Sequence, residues 1–241
     1  AHGATERNRL LYSRLRKILS CENRIIGGSI ATTVGANFYA QQGSGFGYRV
    51  GIGGGSVCTT RTVSGVGYPT LQGVYEISRF LEFFSDISTS GLDRAIIADG
   101  GISSSGDIAK YLAAGADHCM LGRLFAQCSD SETSLTKRGA KGEILHRGQA
   151  SASYQEDVYG NKDKNLPEGV TRLLPALPFT MSELSGRLLS GLKSSVSYLG
   201  LKDVKDMNYR RVRFARCSPS IMKENGNAGR QVGAYKDFES L

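Results

Sequence analysis

Apolar and polar positions between residues 7 and 128 alternate between a helical rhythm and short unbroken apolar runs. In RNRLLYSRLRKILS, residues 7–20, the apolar Leu10, Leu11, Leu15, Ile18 and Leu19 recur at helical spacing with arginines opposite, which predicts an amphipathic helix. RIIGGSIAT then reads as a short buried strand, with a second helix following through Phe38 to Gln42. YRVGIGGG is a strand running into a glycine loop. Helical spacing resumes through Leu71, Val74, Ile77, Leu81 and Phe84. RAIIADGGI is a third strand, and SGDIAKYLAAGA a helix with Ser105, Gly106 and Asp107 as cap candidates. DHCMLGRLFAQ supplies a fourth strand and the start of another helix. Short apolar strands alternating with helices predict an α/β fold with a parallel sheet buried on both faces. Three of the four strands end in glycine and polar residues, the position where α/β folds collect ligands.

The rhythm breaks at residues 129–180, which are polar, rich in Ser, Lys and Glu, and nearly aperiodic. A long irregular stretch inside a domain is expected to be functional or disordered. A helix returns in TMSELSGRLLSGLKSSVSYLG, with Leu184, Leu188, Leu192 and Val196 on one stripe, and the tail from Cys217 reads as loosely structured. No internal repeat beyond the strand–helix alternation and no domain boundary is visible, so residues 1–241 are read as one domain.

Composition narrows the functional classes. The 241 residues are 40% hydrophobic and 22% charged, ordinary for a globular chain with a sizeable core. No apolar stretch approaches the roughly 18–20 residues of a membrane helix, and no secretory leader is visible, so a soluble, cytoplasmic protein is expected. The terminal Glu239-Ser240-Leu241 only faintly resembles the Ser-Lys-Leu peroxisomal address. A net charge of +8 suits an anionic partner. Its basic residues are scattered, which favours nucleotide phosphates over nucleic acid. Five cysteines without paired short spacings argue against a disulfide framework or a zinc site, and His2, His118 and His146 lack metal-ligand spacing.

The candidate chemistry lies in the glycine-rich GIGGGSVCTTRTVSGVGYP, residues 51–69. Gly51, Gly53, Gly54 and Gly55 let backbone approach a ligand closely, and Ser56 adds a hydroxyl, so the loop reads as either a plain loop or a phosphate cradle. Cys58 in a polar loop is a candidate nucleophile, with Arg61 and nearby amides available to favour the thiolate. Asp99-Gly100-Gly101 could accept hydrogen bonds from ribose hydroxyls or cap a helix, and Gly122-Arg123 could bind phosphate.

Taken together, VGIGGGSVCTTRTVSGVGYP, IIADGGISSSGDIAKYLAAGADHCMLGRLFA, HRGQAS and LPEGV closely resemble the IMP dehydrogenase and GMP reductase family, in its order and spacing, over roughly residues 25–200. The resemblance implies a (β/α)8 barrel in which Cys58 attacks purine C2 to form a covalent thioimidate. Ser56, Asp99, Gly100, Gly101, Gly122 and Arg123 match positions that hold the nucleotide, with His146, Gly148 and Gln149 beside them. Thr60 and Glu168 match the pair that handles protons, and Gly53, Gly55 and Cys58 match carbonyls that bind a monovalent cation such as K+. Residues 129–180 become a mobile flap. GMP or IMP is the implied ligand, NADPH or NAD the implied cofactor, and a homotetramer the implied assembly.

Several departures from the pattern carry expectations of their own. Four strands are half of a closed barrel, so the chain reads as strands 5–8 with the N-terminal half to be supplied elsewhere; Ala1-His2-Gly3 resembles the end of the family's fourth strand. Gly54 stands where proline is usual, Arg123 replaces a small residue, and His146 and Gln149 replace tyrosine and methionine. The dehydrogenases use an arginine next to a tyrosine in the flap to activate water. Here Tyr154 follows Ser153 and Tyr159 follows Val158. Loss of a general base costs about 10²–10⁴-fold, so the absent pair tilts the reading toward NADPH-dependent GMP reduction. IMP dehydrogenation, with Arg147 as base, and a catalytically silent nucleotide-binding subunit are the alternatives.

Overall fold

The computed structural model describes residues 3–19, 25–42, 46–87, 94–132, 142–160 and 167–215. Ala1, His2, Cys21, Cys217 with the tail after it, and residues 133–141 and 161–166 of the expected flap lie outside the described residues, as does the side chain of Phe84.

The chain runs α1 (Glu6–Ile18), β1 (Ile25–Ile30), α2 (Thr33–Ala40), β2 (Phe46–Val50), α3 (Thr60–Ser64), α4 (Thr70–Ile87), β3 (Arg94–Asp99), α5 (Ser105–Ala113), β4 (His118–Met120), α6 (Arg123–Ala126), β5 (Glu143–Arg147), α7 (Ala152–Tyr159), β6 (Thr171–Pro175) and α8 (Met181–Tyr198). A 3₁₀ turn, Val204–Asp206, follows. Strands β1-β2-β3-β4 form one sheet in sequence order, every pair parallel. That order is what successive right-handed crossovers along a barrel wall produce. Val50, Ile96 and Ala98 are buried between the strands and the helices behind them, where Val74, Ile77 and Leu81 of α4 meet Leu184, Leu188 and Leu192 of α8 in one core. The i, i+4 stripe of α8 read from sequence is therefore its core face. Among the described residues no helix is long and apolar enough to cross a membrane.

The caps follow side-chain chemistry. Thr5, Thr32 and Thr180 each accept from a backbone N–H in the first turn of the helix they precede. The cap of α5 is Ser104, not one of Ser105, Gly106 or Asp107: its hydroxyl accepts from Asp107 N at 3.2 Å, while the Asp107 carboxylate accepts from Ser103 N and from the Ser103 and Ser104 hydroxyls. The hydroxyl one residue earlier reaches the N3 amide, which a residue inside the helix cannot do.

The helix expected at residues 7–20 is present as α1, and its apolar face is only partly covered: Leu15 and Leu19 pack against the core and Tyr12 is buried edge-on against Tyr39, while Leu10 and Leu11 are half-exposed and Ile18 is 80% exposed. Nothing among the described residues covers that exposed side, where Ile26 of the edge strand β1 and Val34 also stand exposed. One further expectation is corrected. The 129–180 stretch is not aperiodic throughout. Glu143–Arg147 and Thr171–Pro175 pair as an antiparallel ladder, and α7 lies between them, capped by Ser151. Their short strands interleave charged and apolar residues with no buried stripe, so periodicity alone could not reveal them.

Candidate active site

Three strand ends converge on one cleft. At the end of β2, Gly51 holds φ +140, and a Cβ there would sit almost on the carbonyl oxygen of Asp99 at the end of β3. The next strand's end answers in kind: Gly100 has φ +108, and its Cβ would lie 2.7 Å from the Cα of Gly54. Glycine at both positions lets the loop after β2 lie directly on the loop after β3. Gly122-Arg123 follows β4 and opens α6.

The cleft between these loops has a volume of about 550 Å³. Of the residues singled out from sequence, Gly55, Ser56, Asp99, Gly100, Gly101, Gly122, Arg123, His146 and Gln149 line it. Gly148 does not: it packs where a Cβ would be 3.2 Å from the carbonyl oxygen of Val57, and so spaces the β5 segment against the Cys58 loop. Gly53 also lies off the cleft, beneath the Arg61 side chain.

Cys58, Thr60 and Glu168 are drawn together although 108 residues separate Thr60 from Glu168. The backbone does this: Thr59 N donates to Glu168 O at 2.9 Å, Val170 N donates to Val57 O at 2.9 Å, and Cys58 bridges antiparallel to Gly169. The result is a relay in which the Cys58 thiol donates to Thr60 Oγ1 at 3.2 Å and the Thr60 hydroxyl donates to Glu168 Oε2 at 2.8 Å. All three side chains are half-buried; none of them lines the cleft, whose lining on this loop ends at Val57, the residue before Cys58. A thiol, a hydroxyl and a carboxylate in series can move one proton away from sulfur or toward a leaving group.

Arg61 does not serve the thiol. Its guanidinium donates to Ile52 O at 3.0 Å and Tyr68 O at 2.7 Å, bracing the two ends of the loop. Elsewhere, burial pushes Cys119 and Cys128 each up to about 11, so at neutral pH both stay thiols. Cys119 packs against the core, as its apolar setting predicts. His146 is held below the usual histidine range, first by burial and then by the Arg123 guanidinium across the cleft. It is therefore the neutral imidazole at pH 7.

Sequence reading missed Arg49. Its guanidinium lies against the Asp99 carboxylate, with Nε–Oδ2 at 2.8 Å and Nη2–Oδ2 at 2.6 Å. Asp99 thus meets any ligand as one half of an ion pair, with its position fixed by β2. The signal was present: Arg49 is the lone charge in an apolar strand, one residue before its end. Arg147 is likewise engaged. It donates to Ser153 O at 3.1 Å, pairs with Asp157, and lies 5.4 Å from the ring centre of Tyr154.

Comparison with known proteins decides the kinship. The family described as the IMP dehydrogenase / GMP reductase domain matches residues 1–227. The chain belongs to that family. Inosine-5'-monophosphate dehydrogenases of Chlorobaculum parvum and Bifidobacterium longum are 34% and 35% identical to it over 215 and 216 residues, covering 85% and 84% of this chain and 41% and 38% of those proteins. The Aquifex aeolicus dehydrogenase is 31% identical, over 93% of this chain and 45% of its own. Among solved structures, a GMP reductase variant from Trypanosoma brucei in complex with guanosine 5'-monophosphate superposes with a TM-score of 0.78 at 29% identity, covering 93% of this chain and 45% of that one. The chain spans less than half the length of these family members. Its parallel sheet and flanking helices form part of the family's (β/α)8 barrel.

Proposed function

We propose that the chain carries the nucleophile half of a GMP reductase site: GMP, NADPH and two protons give IMP, ammonium and NADP+. The observation that carries this reading is the Cys58–Thr60–Glu168 relay, which begins one residue after Val57 of the cleft lining. Arg123, with backbone N–H groups after β2 and β4, takes the 5'-phosphate, and Asp99 accepts from the ribose hydroxyls. This places purine C2 over Cys58. The thiolate attacks C2, a C–S bond forms, and the C2–N bond breaks. Glu168, through Thr60, hands the departing amine its proton. The dinucleotide, when bound, supplies a hydride to C2, after which the C–S bond breaks and IMP leaves. Cys58 is half-buried rather than enclosed in the core.

The direction rests on Arg147. This guanidinium is already engaged by Asp157, the Ser153 carbonyl and the Tyr154 ring, all on α7, so acting as the base that activates a water would require it to give up these contacts. Hydride transfer to the thioimidate needs no such base. Oxidation of IMP to XMP with NAD is the second reading, favoured by the names of the dehydrogenase relatives. Assaying the complete protein with GMP plus NADPH and with IMP plus NAD separates the two: turnover with only the first pair is expected, and NAD-dependent IMP oxidation would reverse the direction.

The remaining assignments follow from the same reading. A monovalent cation would take the carbonyls of Gly53, Gly55 and Cys58, of which Gly55 O already accepts from Cys58 N at 3.1 Å; no step above depends on it. The rest of the barrel is supplied by polypeptide beyond these residues, closing over the exposed apolar side of α1 and β1. The family resemblance supports a homotetramer, and residues 129–180 act as the flap. A titration follows from His146. The negative charge of a bound phosphate offsets the Arg123 influence on this imidazole, so binding should take up a proton. Affinity for GMP in the wild type, divided by that of His146→Gln to cancel the phosphate's own titration, should rise as pH falls from 7.5 to 6. The limit is about tenfold per pH unit for one linked proton. A flat ratio by calorimetry would remove His146 from the phosphate site.

A further inference from the structure

A second cleft, of about 330 Å³, opens at the other end of β3, between α4, the turn before β4 and the segment after the 3₁₀ turn. Arg94, the first residue of β3, and Tyr209 both line it. Arg94 Nη1 and Tyr209 Oη are buried there without a hydrogen-bond partner, the two such side-chain atoms among the described residues. A buried donor with no acceptor is costly and normally finds a partner. Both residues line the same cavity.

Of the cleft's other polar side chains, Glu82, Asp117, Asn208 and Arg210 are already committed, and Ser78 adds a hydroxyl to its lining. Glu82 Oε1 pairs with Arg210 Nη2 at 2.5 Å, and the Asp117 carboxylate accepts from Ile96 N at 2.7 Å. Asn208 Oδ1 accepts from Arg210 N at 3.1 Å, and its amide donates to Asp206 O. Among the described residues, no carboxylate lies within ion-pair distance of Arg94, whereas Glu82 has its own cation. The unmet demand is therefore for an acceptor carrying negative charge. Tyr209 is well placed to share in it: its ring stands edge-on to Tyr75 at 5.9 Å, which fixes the direction of its hydroxyl. We infer that this cleft binds a small oxyanion, a phosphate or carboxylate group, accepting from Arg94 Nη1 and Tyr209 Oη. Five residue steps along β3 put it about 17 Å from the Asp99 cleft. It is a separate site, and its existence does not depend on the nucleotide chemistry proposed above.

Inorganic phosphate is the probe, titrated at constant ionic strength into the complete protein and followed by thermal melting and ³¹P line broadening. Arg123→Ala removes phosphate binding at the first cleft. In that background phosphate should still raise the melting temperature and broaden its own resonance. Both effects should vanish on adding Arg94→Met. Tyr209→Phe, which keeps the ring packing, should weaken binding about tenfold, the effect of losing one hydrogen bond to a charged group. Should the Arg94 variant fail to melt cooperatively, Tyr209→Phe decides alone. The proposal falls if phosphate has no effect in the Arg123→Ala background, or if its effect survives both Arg94→Met and Tyr209→Phe; the cleft then holds water only.

Discussion

Replacing Cys58 with alanine should reduce turnover by about 10³-fold or more while leaving GMP affinity within about threefold of wild type. The two numbers separate because they depend on different residues. Sulfur supplies the bond that carries the purine through both half-reactions, so without it no intermediate connects loss of the amine to arrival of hydride. In the proposed site, affinity would reside in phosphate and ribose contacts from the cleft lining at the ends of β2, β3 and β4, which the substitution does not touch. The loop should also survive it. Val57, Thr59 and Val170 hold the segment through backbone hydrogen bonds, and the thiol's own bond to Thr60 is a weak one at 3.2 Å. Steady-state kinetics and calorimetry on the same preparation check both halves. An alanine variant with near-normal turnover would show that the thiol is a bystander.

Glu168→Gln should lower kcat about 10²–10⁴-fold, the usual worth of a general acid–base group. Glutamine keeps the size and can still accept from Thr60, but it cannot deliver or take a proton at neutral pH. The backbone of residue 168 also receives Thr59 N, and that contact does not depend on the side chain. The loss should therefore fall on kcat, with KM nearly unchanged, and should be largest in the half-reaction that releases ammonia. Thr60→Val should show a smaller loss in the same step, since it breaks the relay between sulfur and carboxylate without removing the acid. Equal effects on kcat and on binding would mark Glu168 as a structural strut.

How far the chain could be read in advance depended on which residues had to satisfy geometry. The strand–helix alternation through residue 128 was legible because buried parallel strands must be apolar and α4 and α8 must present a stripe to the core. Gly51 was legible as a close approach of backbone to a ligand, but that Gly51 and Gly100 also let one strand end lie on the next was not. The Cys58–Thr60–Glu168 constellation was legible only through its resemblance to a family, since no local rule joins residues 108 apart. Arg49 was missed because its partner, Asp99, sits on the neighbouring strand, 50 positions away. The helix α1 was legible, but helical periodicity shows only that a face seeks cover, and does not say what covers Leu10, Leu11 and Ile18 where Leu15 and Leu19 pack against the core.

The central claim, a covalent purine intermediate on Cys58, is tested most directly by acid-quenching the complete protein during turnover and mapping its peptides by mass spectrometry. With GMP and limiting NADPH, a purine-nucleotide adduct should appear on the peptide containing Cys58, be absent from those of the half-buried Cys119 and the buried Cys128, and disappear in Cys58→Ala. Turnover with no adduct on that peptide at any quench time would contradict the account.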